Sequence, residues 1–302
     1  MSRYVVTGAA GFIGSHLCEA LRARGDVVVA VDCFTDYYDP ALKRENAQGL
    51  DVLELDVSTT PLDDLAGGSD GVFHLAAQPG VRPSFDDFEV YLRRNVLATQ
   101  LVLSTANRLG TRVVVASSSS VYGDAERYPT PEEALPRPIS PYGVTKLACE
   151  HLAYAFGADA VLLRYFTVYG PRQRPDMAFA RLVAAARDGV EFRLFGDASR
   201  AFTYVADAVE ATILAMERAP SGAVYNVGGG EEATMTEAIA LLERVSGRDV
   251  AVRREEAARG DARRTAADVS RIRGELGWSP ATSLEDGLRA QWSWALARVA
   301  AG

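Results

Sequence analysis

Thr7-Gly8-Ala9-Ala10-Gly11-Phe12-Ile13-Gly14 decides the fold of this chain. It follows directly on the strand-like run Tyr4 to Thr7 and opens a helical pattern from Phe12 to Arg24, so its glycines stand where a strand turns tightly into a helix. Such a turn lets a pyrophosphate approach the free N–H groups and the positive dipole end of the helix. The next β-branched run, Val27 to Asp32, ends on a carboxylate that can accept from the ribose hydroxyls of an adenosine and that repels the extra phosphate of NADP. Turn and carboxylate, in this order, point to dinucleotide binding with NAD as the cofactor.

The alternation continues along the chain. Strand patterns at Val52 to Leu55, Gly71 to Ala76, Arg112 to Ser117 and Ala160 to Arg164 are interleaved with helical patterns at Asp86 to Leu109 and Tyr142 to Phe156. Gly25 and Gly110 stand where helix ends often require glycine. This predicts an α/β fold, a doubly wound Rossmann-type parallel sheet. After Gly170 the pattern breaks into shorter elements, with a strand at Glu191 to Phe195 and a helix at Thr236 to Ser246, as expected of a smaller C-terminal α/β substrate domain. The division predicted is a cofactor domain at 1–169 with a return segment at 203–220, and a substrate domain at 170–202 and 221–302.

With 302 residues, 48% of them hydrophobic, the chain is long enough for a large core or two. A net charge of -8 argues against nucleic acid as a partner, since phosphate-backbone binders usually carry a basic surface. The three cysteines, Cys18, Cys33 and Cys149, are too scattered for a disulfide framework or a zinc cluster, so no metal is expected and a reducing, cytoplasmic setting fits. No basic leader followed by an apolar stretch opens the chain, and no segment approaches the length of apolar run that crosses a membrane.

Two further stretches carry chemistry. In Tyr142-Gly143-Val144-Thr145-Lys146 a phenol and an ammonium lie four residues apart, on one face of a helix, where the cation favours the phenolate. Tyr142 is thereby a candidate general base. The fifth strand runs into Ala116-Ser117-Ser118-Ser119-Ser120-Val121-Tyr122-Gly123, placing hydroxyls at the carboxyl end of the sheet, where doubly wound folds bind ligands. A serine run also suits a flexible linker, but linkers do not normally emerge from Val113-Val114-Val115.

The spacing G-x-x-G-x-x-G resembles the extended short-chain dehydrogenase family, and that resemblance extends over nearly the whole chain. It implies that Gly8, Gly11, Phe12, Ile13 and Gly14 cradle the cofactor, that Asp56 and Val57 meet its adenine, and that Leu75, Ala76 and Ala77 after His74 form a cofactor loop, with Lys146 and Tyr165 completing the set. Asp56 can equally be a cap, and His74 is expected to tune packing rather than to catalyse. By the family pattern the catalytic hydroxyl is Ser118, beside Tyr142 and Lys146. The resemblance implies that Tyr142 removes the proton of a sugar 4-hydroxyl while carbon 4 is oxidised to a ketone.

Within the family, Ser119 and Ser120 stand where dehydratases resemble one another in carrying Asp-Glu and where decarboxylases usually carry a glutamate, which disfavours both reactions. The stretch from Leu163 to Ala178, with Thr167, Arg172, Arg174 and Asp176, resembles UDP-glucuronate 4-epimerases, as do Asp36-Tyr37-Tyr38-Asp39-Pro40 and Gln78-Pro79-Gly80-Val81-Arg82. The resemblance implies a UDP-hexuronate substrate held by Arg82, Ser119, Ser120, Tyr142, Thr167 and Arg174. Alternatively, Arg172 and Arg174 form ion pairs with residues such as Asp176. For the nucleotide end it implies Arg200, Asp261 and Arg263, although Ala201 replaces a usual aspartate and Arg259 a common proline. The rival readings are a UDP-glucose or UDP-N-acetylglucosamine 4-epimerase, a UDP-glucuronate decarboxylase, and a non-catalytic dinucleotide-binding scaffold. The helices at Asp86 to Leu109 and Tyr142 to Phe156 would form a homodimer interface if the chain follows the family.

Overall fold

The computed structural model describes residues 1–257 and 259–301, the side chains of Val299 to Ala301 excepted. Strands β1 (Arg3–Thr7), β2 (Val27–Asp32), β3 (Val52–Glu54), β4 (Gly71–His74), β5 (Val113–Ser118) and β6 (Ala160–Tyr165) form one parallel sheet. The chain then passes through β7 (Val168–Tyr169), β8 (Phe192–Phe195), β9 (Ser199–Ala201) and β10 (Thr203–Tyr204) before β11 (Val224–Val227) joins the same sheet beside β6. The order β11-β6-β5-β4-β1-β2-β3 reverses direction between β1 and β4, the switch point at which such sheets open a crevice.

Side chains alternate across this sheet. Tyr4, Val6, Phe73, Val114 and Leu163 join a core with Leu17 and Leu21 of the Phe12–Ala23 helix and with Ala208 and Ala211 of the Val205–Arg218 helix. Val5, Val72, Val113 and Leu162 face the other way, against Val102 and Leu103 of the Ala98–Leu109 helix. Both faces are covered, which is why these strands read as unbroken apolar runs.

The return to the sheet is longer than expected. It runs past residue 220 to Val227, because β11 covers the otherwise open edge of β6 and buries Tyr225 and Val227 there. Ile272, Leu276 and Trp278 pack into the same core, so residues 221–302 do not belong wholly to the smaller lobe. That lobe has its own core, built from Phe179 and Leu182 of the Ala178–Asp188 helix, Ile239 and Leu242 of the Met235–Ser246 helix, and Leu288 and Trp292 of the Leu284–Ala301 helix.

The helix expected at Asp86 to Leu109 is divided. An α-helical turn at Phe88–Tyr91 widens into a π-helical segment, Leu92–Leu97, before Ala98–Leu109 resumes. The widening turns the buried Asn95 towards the site and presents its carbonyl to Cys149 Sγ at 3.4 Å. No helix among the described residues is long and apolar enough to cross a membrane.

Candidate functional site

At the cofactor end the chain approaches itself closely. Gly8 has φ +73°, and a Cβ there would lie 2.8 Å from Ala76 N, so a side chain would separate the first turn from the loop after β4. The helix that follows begins at Gly11 with no side-chain cap and no acidic residue in its first turn. Its amino-terminal donors are therefore uncommitted, as an anionic pyrophosphate requires.

Asp32 is tied to this turn: Oδ2 accepts from Ala10 N at 3.2 Å and Oδ1 from Phe34 N at 2.8 Å. The sequence reading missed Lys43, a buried ammonium 3.8 Å from Asp32 Oδ1 that donates to Thr35 Oγ1 at 2.8 Å. Burial lowers the pKa of Lys43 while Asp32 pulls it upward. Asp56 does cap a turn, as its alternative reading had it. Its Oδ1 accepts from Ser58 N at 2.8 Å and Ser58 Oγ at 2.7 Å, and these bonds, with Arg93 and Arg94, outweigh burial and hold the carboxyl below its ordinary range. The neighbouring Val57 is buried in the sheet core.

His74 hydrogen-bonds Thr7 Oγ1 at 2.9 Å through Nδ1 and Thr99 Oγ1 at 3.2 Å through Nε2. Burial, aided by Lys146, pushes its pKa down to about 3, so it is a neutral packing residue. The same Thr7 Oγ1 accepts from Ala76 N at 3.2 Å, and Thr7 O accepts from Leu75 N at 3.2 Å, which sets the loop through Leu75, Ala76 and Ala77. The Tyr165 hydroxyl is bonded to Thr212 Oγ1 at 2.7 Å inside the sheet–helix core.

The candidate catalytic residues Ser118, Tyr142 and Lys146 sit where β5 meets the Pro141–Phe156 helix. Ser140 caps that helix by accepting from Gly143 N at 3.1 Å, and Pro141 fills its first turn. A Cβ on Gly143 would meet Ser120 O at 2.5 Å, so glycine lets the helix lie directly on the serine segment. Tyr142 takes its place through a backbone N–H donated to Ser84 Oγ at 3.1 Å and an edge-to-face ring contact with Tyr91 at 6.3 Å. Lys146, 5% exposed, donates from Nζ to Ala116 O at 2.8 Å. Ser118 ends β5 and its Oγ accepts from Ser120 N at 3.1 Å, holding Ser119 and Ser120 in a single helical turn.

Buried polar groups missed by the sequence reading support this end. Asn95 Oδ1 accepts from Gln78 N at 2.7 Å, and its Nδ2 donates to Gln78 O at 3.2 Å and to Thr145 Oγ1 at 3.0 Å, tying the cofactor loop to the catalytic helix. Glu150, one helical turn beyond Lys146, accepts from Arg164 Nε at 2.9 Å and Nη2 at 2.7 Å, and from Ser117 Oγ at 2.5 Å. No spacing rule announces either group, because each partner comes from a distant element.

The proposed sugar residues converge only in part. Thr167 lies half-buried just past β6, and its carbonyl accepts from Thr203 N at 3.1 Å. Arg174 forks onto Asp176, with Nε to Oδ1 and Nη2 to Oδ2 both at 3.0 Å. Burial opposes the charge on Arg174, but Asp176 and, more weakly, Tyr37 and Tyr142 hold its pKa above the ordinary value. Arg172 instead turns to Glu19 at 2.5 Å and takes a left-handed φ of +62°. The expected alternative of ion pairing thus describes both arginines, with different acids.

At the nucleotide end Arg82 donates to Asp261 Oδ2 at 2.8 Å and stacks over Phe195 at 4.5 Å, joining two of the predicted residues. Arg200 donates to Ser199 O at 2.9 Å and Ala262 O at 2.6 Å, and burial lowers its pKa against the pull of Asp261. Arg263 has an exposed side chain, and its backbone N–H donates to Asp124 Oδ1 at 2.9 Å. Among the described residues no cluster of three His, Cys, Asp or Glu could hold a metal.

Comparison with known proteins extends this geometry. An uncharacterized UDP-glucose epimerase of Bacillus subtilis is 40% identical over 95% of this chain and 95% of its own length. A UDP-glucuronate 4-epimerase of Thermodesulfobacterium geofontis is 33% identical over 97% of this chain and 96% of its own. The crystal structure of a UDP-glucuronic acid 4-epimerase from Bacillus cereus, in complex with UDP-glucuronic acid and NAD, superposes with a TM-score of 0.94 at 39% identity, over 98% of this chain and 99% of that one. Residues 4–228 match the profile described as the NAD dependent epimerase/dehydratase family, and the chain belongs to that family.

Proposed function

We propose that the protein is an NAD-dependent 4-epimerase that interconverts UDP-glucuronate and UDP-galacturonate through a transient 4-keto intermediate. The observation that carries this reading is the meeting of the Tyr142–Lys146 helix with a carboxylate-free Ser118-Ser119-Ser120 turn at the carboxyl end of β5, within electrostatic reach of Arg174. The likeness to an epimerase bound to UDP-glucuronic acid and NAD supports it.

In this reading Gly8, Gly11, Phe12, Ile13 and Gly14 would hold the pyrophosphate of NAD, Asp32 the adenosine ribose, Asp56 and Val57 the adenine, and Leu75 to Ala77 with Lys146 the nicotinamide half. NAD, when bound, supplies the two-electron acceptor and donor at carbon 4. Tyr142 takes the proton from the 4-hydroxyl, with Ser118 bridging the two oxygens, and returns it to the 4-keto oxygen once the sugar has turned to present its other face for reduction. Lys146, held by Ala116 O, stands one helical turn from Tyr142 on the same face.

A 4-keto hexuronate is a β-keto acid. It loses carbon dioxide when the C5–C6 bond stands perpendicular to the ketone, the bond's electron pair passing into an enolate that is then protonated at C5. Ser119, Ser120, Thr167 and Arg174 hold the carboxylate out of that orientation through charge-assisted hydrogen bonds. Arg82, Arg200 and Arg263, with Asp261, contact the diphosphate and ribose of UDP from the smaller lobe. The exposed apolar side chains Leu92, Leu97, Val144 and Tyr154 pair the two long helices with a second copy as a homodimer, and the enzyme works in the cytoplasm.

A second reading, turnover of a neutral UDP-hexose, is favoured by the name of the Bacillus subtilis relative. Incubation of the purified protein with UDP-glucuronate and no added NAD, followed by proton NMR, separates them. UDP-galacturonate with little pentose is the expected product. Pentose as the main product moves the assignment to a decarboxylase, and turnover confined to UDP-glucose or UDP-N-acetylglucosamine moves it to a neutral-sugar epimerase.

A further inference from the structure

Arg174 does not stand alone in the sugar site. Its fork on Asp176 commits Nε and one N–H of Nη2, leaving the Nη1–Nη2 edge for a ligand. Asp176 is held in turn by Tyr37, whose hydroxyl donates to Oδ2 at 3.4 Å. That hydroxyl packs on Gly80, where a Cβ would lie only 2.3 Å away. The adjoining Pro79 O accepts from Tyr91 OH at 2.7 Å, and the Tyr91 ring lies edge-to-face on Tyr142. A continuous chain of contacts therefore runs from the guanidinium through three loops, which follow β2, β4 and β7, to the catalytic phenol.

We infer that Asp176 and Tyr37 are positioning residues that clasp Arg174 so that it meets the substrate carboxylate through one donor edge at a set distance from Tyr142. This rests on the assignment of Arg174 to the hexuronate carboxylate. The clasp has two consequences. Asp176 cancels most of the Arg174 charge, so the site gives up attraction for the anionic sugar in return for a defined geometry. A guanidinium released from Asp176 could instead turn its Nε–Nη2 edge to the carboxylate as well, binding it more tightly but free to follow it as the C5–C6 bond tilts. Binding and product control then move in opposite directions, which loss of folded structure does not produce.

The test compares wild type with Asp176→Asn, Asp176→Glu, Tyr37→Phe and Arg174→Lys. UDP-glucuronate is the substrate, and initial rates and the pentose-to-epimer ratio are read by NMR. For Asp176→Asn the expected result is a lower KM and a pentose share raised about tenfold, the scale of one lost hydrogen bond to a charged group. Asp176→Glu should restore part of the wild-type ratio. Tyr37→Phe should shift the ratio in the same direction by about threefold, as for a weaker neutral hydrogen bond, and it tests the clasp even where the Asp176 variants fold poorly. A changed ratio in Arg174→Lys with wild-type ratios in Asp176→Asn and Tyr37→Phe overturns the clasp and leaves the carboxylate role of Arg174 standing. Wild-type ratios in all four variants overturn both.

Discussion

The catalytic end of the site and its nucleotide end are built in opposite ways. Around Tyr142 the supports are buried and come from the sheet and its helices: Lys146 on Ala116 O, Asn95 between Gln78 and Thr145, Glu150 between Arg164 and Ser117. At the nucleotide end Arg82 and Asp261 pair across a half-exposed gap between the lobes, Arg263 projects into solvent, and only Arg200 is substantially enclosed. Proton transfer tolerates little displacement, so its groups are fixed by packing. A flexible diphosphate, as proposed for this end, would suit side chains that can adjust as it enters. The difference separates what should cost stability from what should cost affinity.

The sharpest break in that contrast is Tyr142→Phe. It keeps the ring against Tyr91 and removes only the hydroxyl, so kcat for UDP-glucuronate should fall by about 10²- to 10⁴-fold with an unchanged thermal midpoint. Residual activity near wild type would move the base elsewhere. Glu150→Ala should act on stability, because it strands the buried Arg164 guanidinium. A loss of about 3–5 kcal/mol in urea unfolding is expected, and a loss below about 1 kcal/mol would mean that water reaches Arg164 as it reaches a surface pair. Arg82→Ala should do the reverse. Its exposed pair with Asp261 is worth less than about 1 kcal/mol to the fold, whereas KM for the UDP-sugar should rise. A drop in unfolding stability with KM untouched would erase the distinction between the two ends.

The Tyr142–Lys146 pair and the glycine turn were legible because each lies within a few residues of sequence and is announced by spacing, whereas Ser118 was singled out by the family pattern. Gly8 to Gly14 follow a strand and open a helix, and Tyr142 and Lys146 share a helix face by the period of 3.6. Which way the Tyr165 hydroxyl turns was not legible, because its partner Thr212 lies in a helix nearly fifty residues later. The return strand β11 was passed over because its need is set by an open sheet edge, and an edge has no sequence signature.

By itself, then, the sequence determined the order of the first six strands, the dinucleotide turn, the carboxylate at Asp32 and the phenol–ammonium pair, since all follow from local periodicity and short-range geometry. Tertiary structure alone decided that Lys43 neutralises Asp32, that Asn95 is turned inward by a widened helix, that Glu150 and Arg164 anchor the catalytic helix, and that Asp176 and Tyr37 hold Arg174. Each of these pairs a charge or an amide with a group far along the chain, and burial, which makes an unpaired polar group costly, is what drives those partners together.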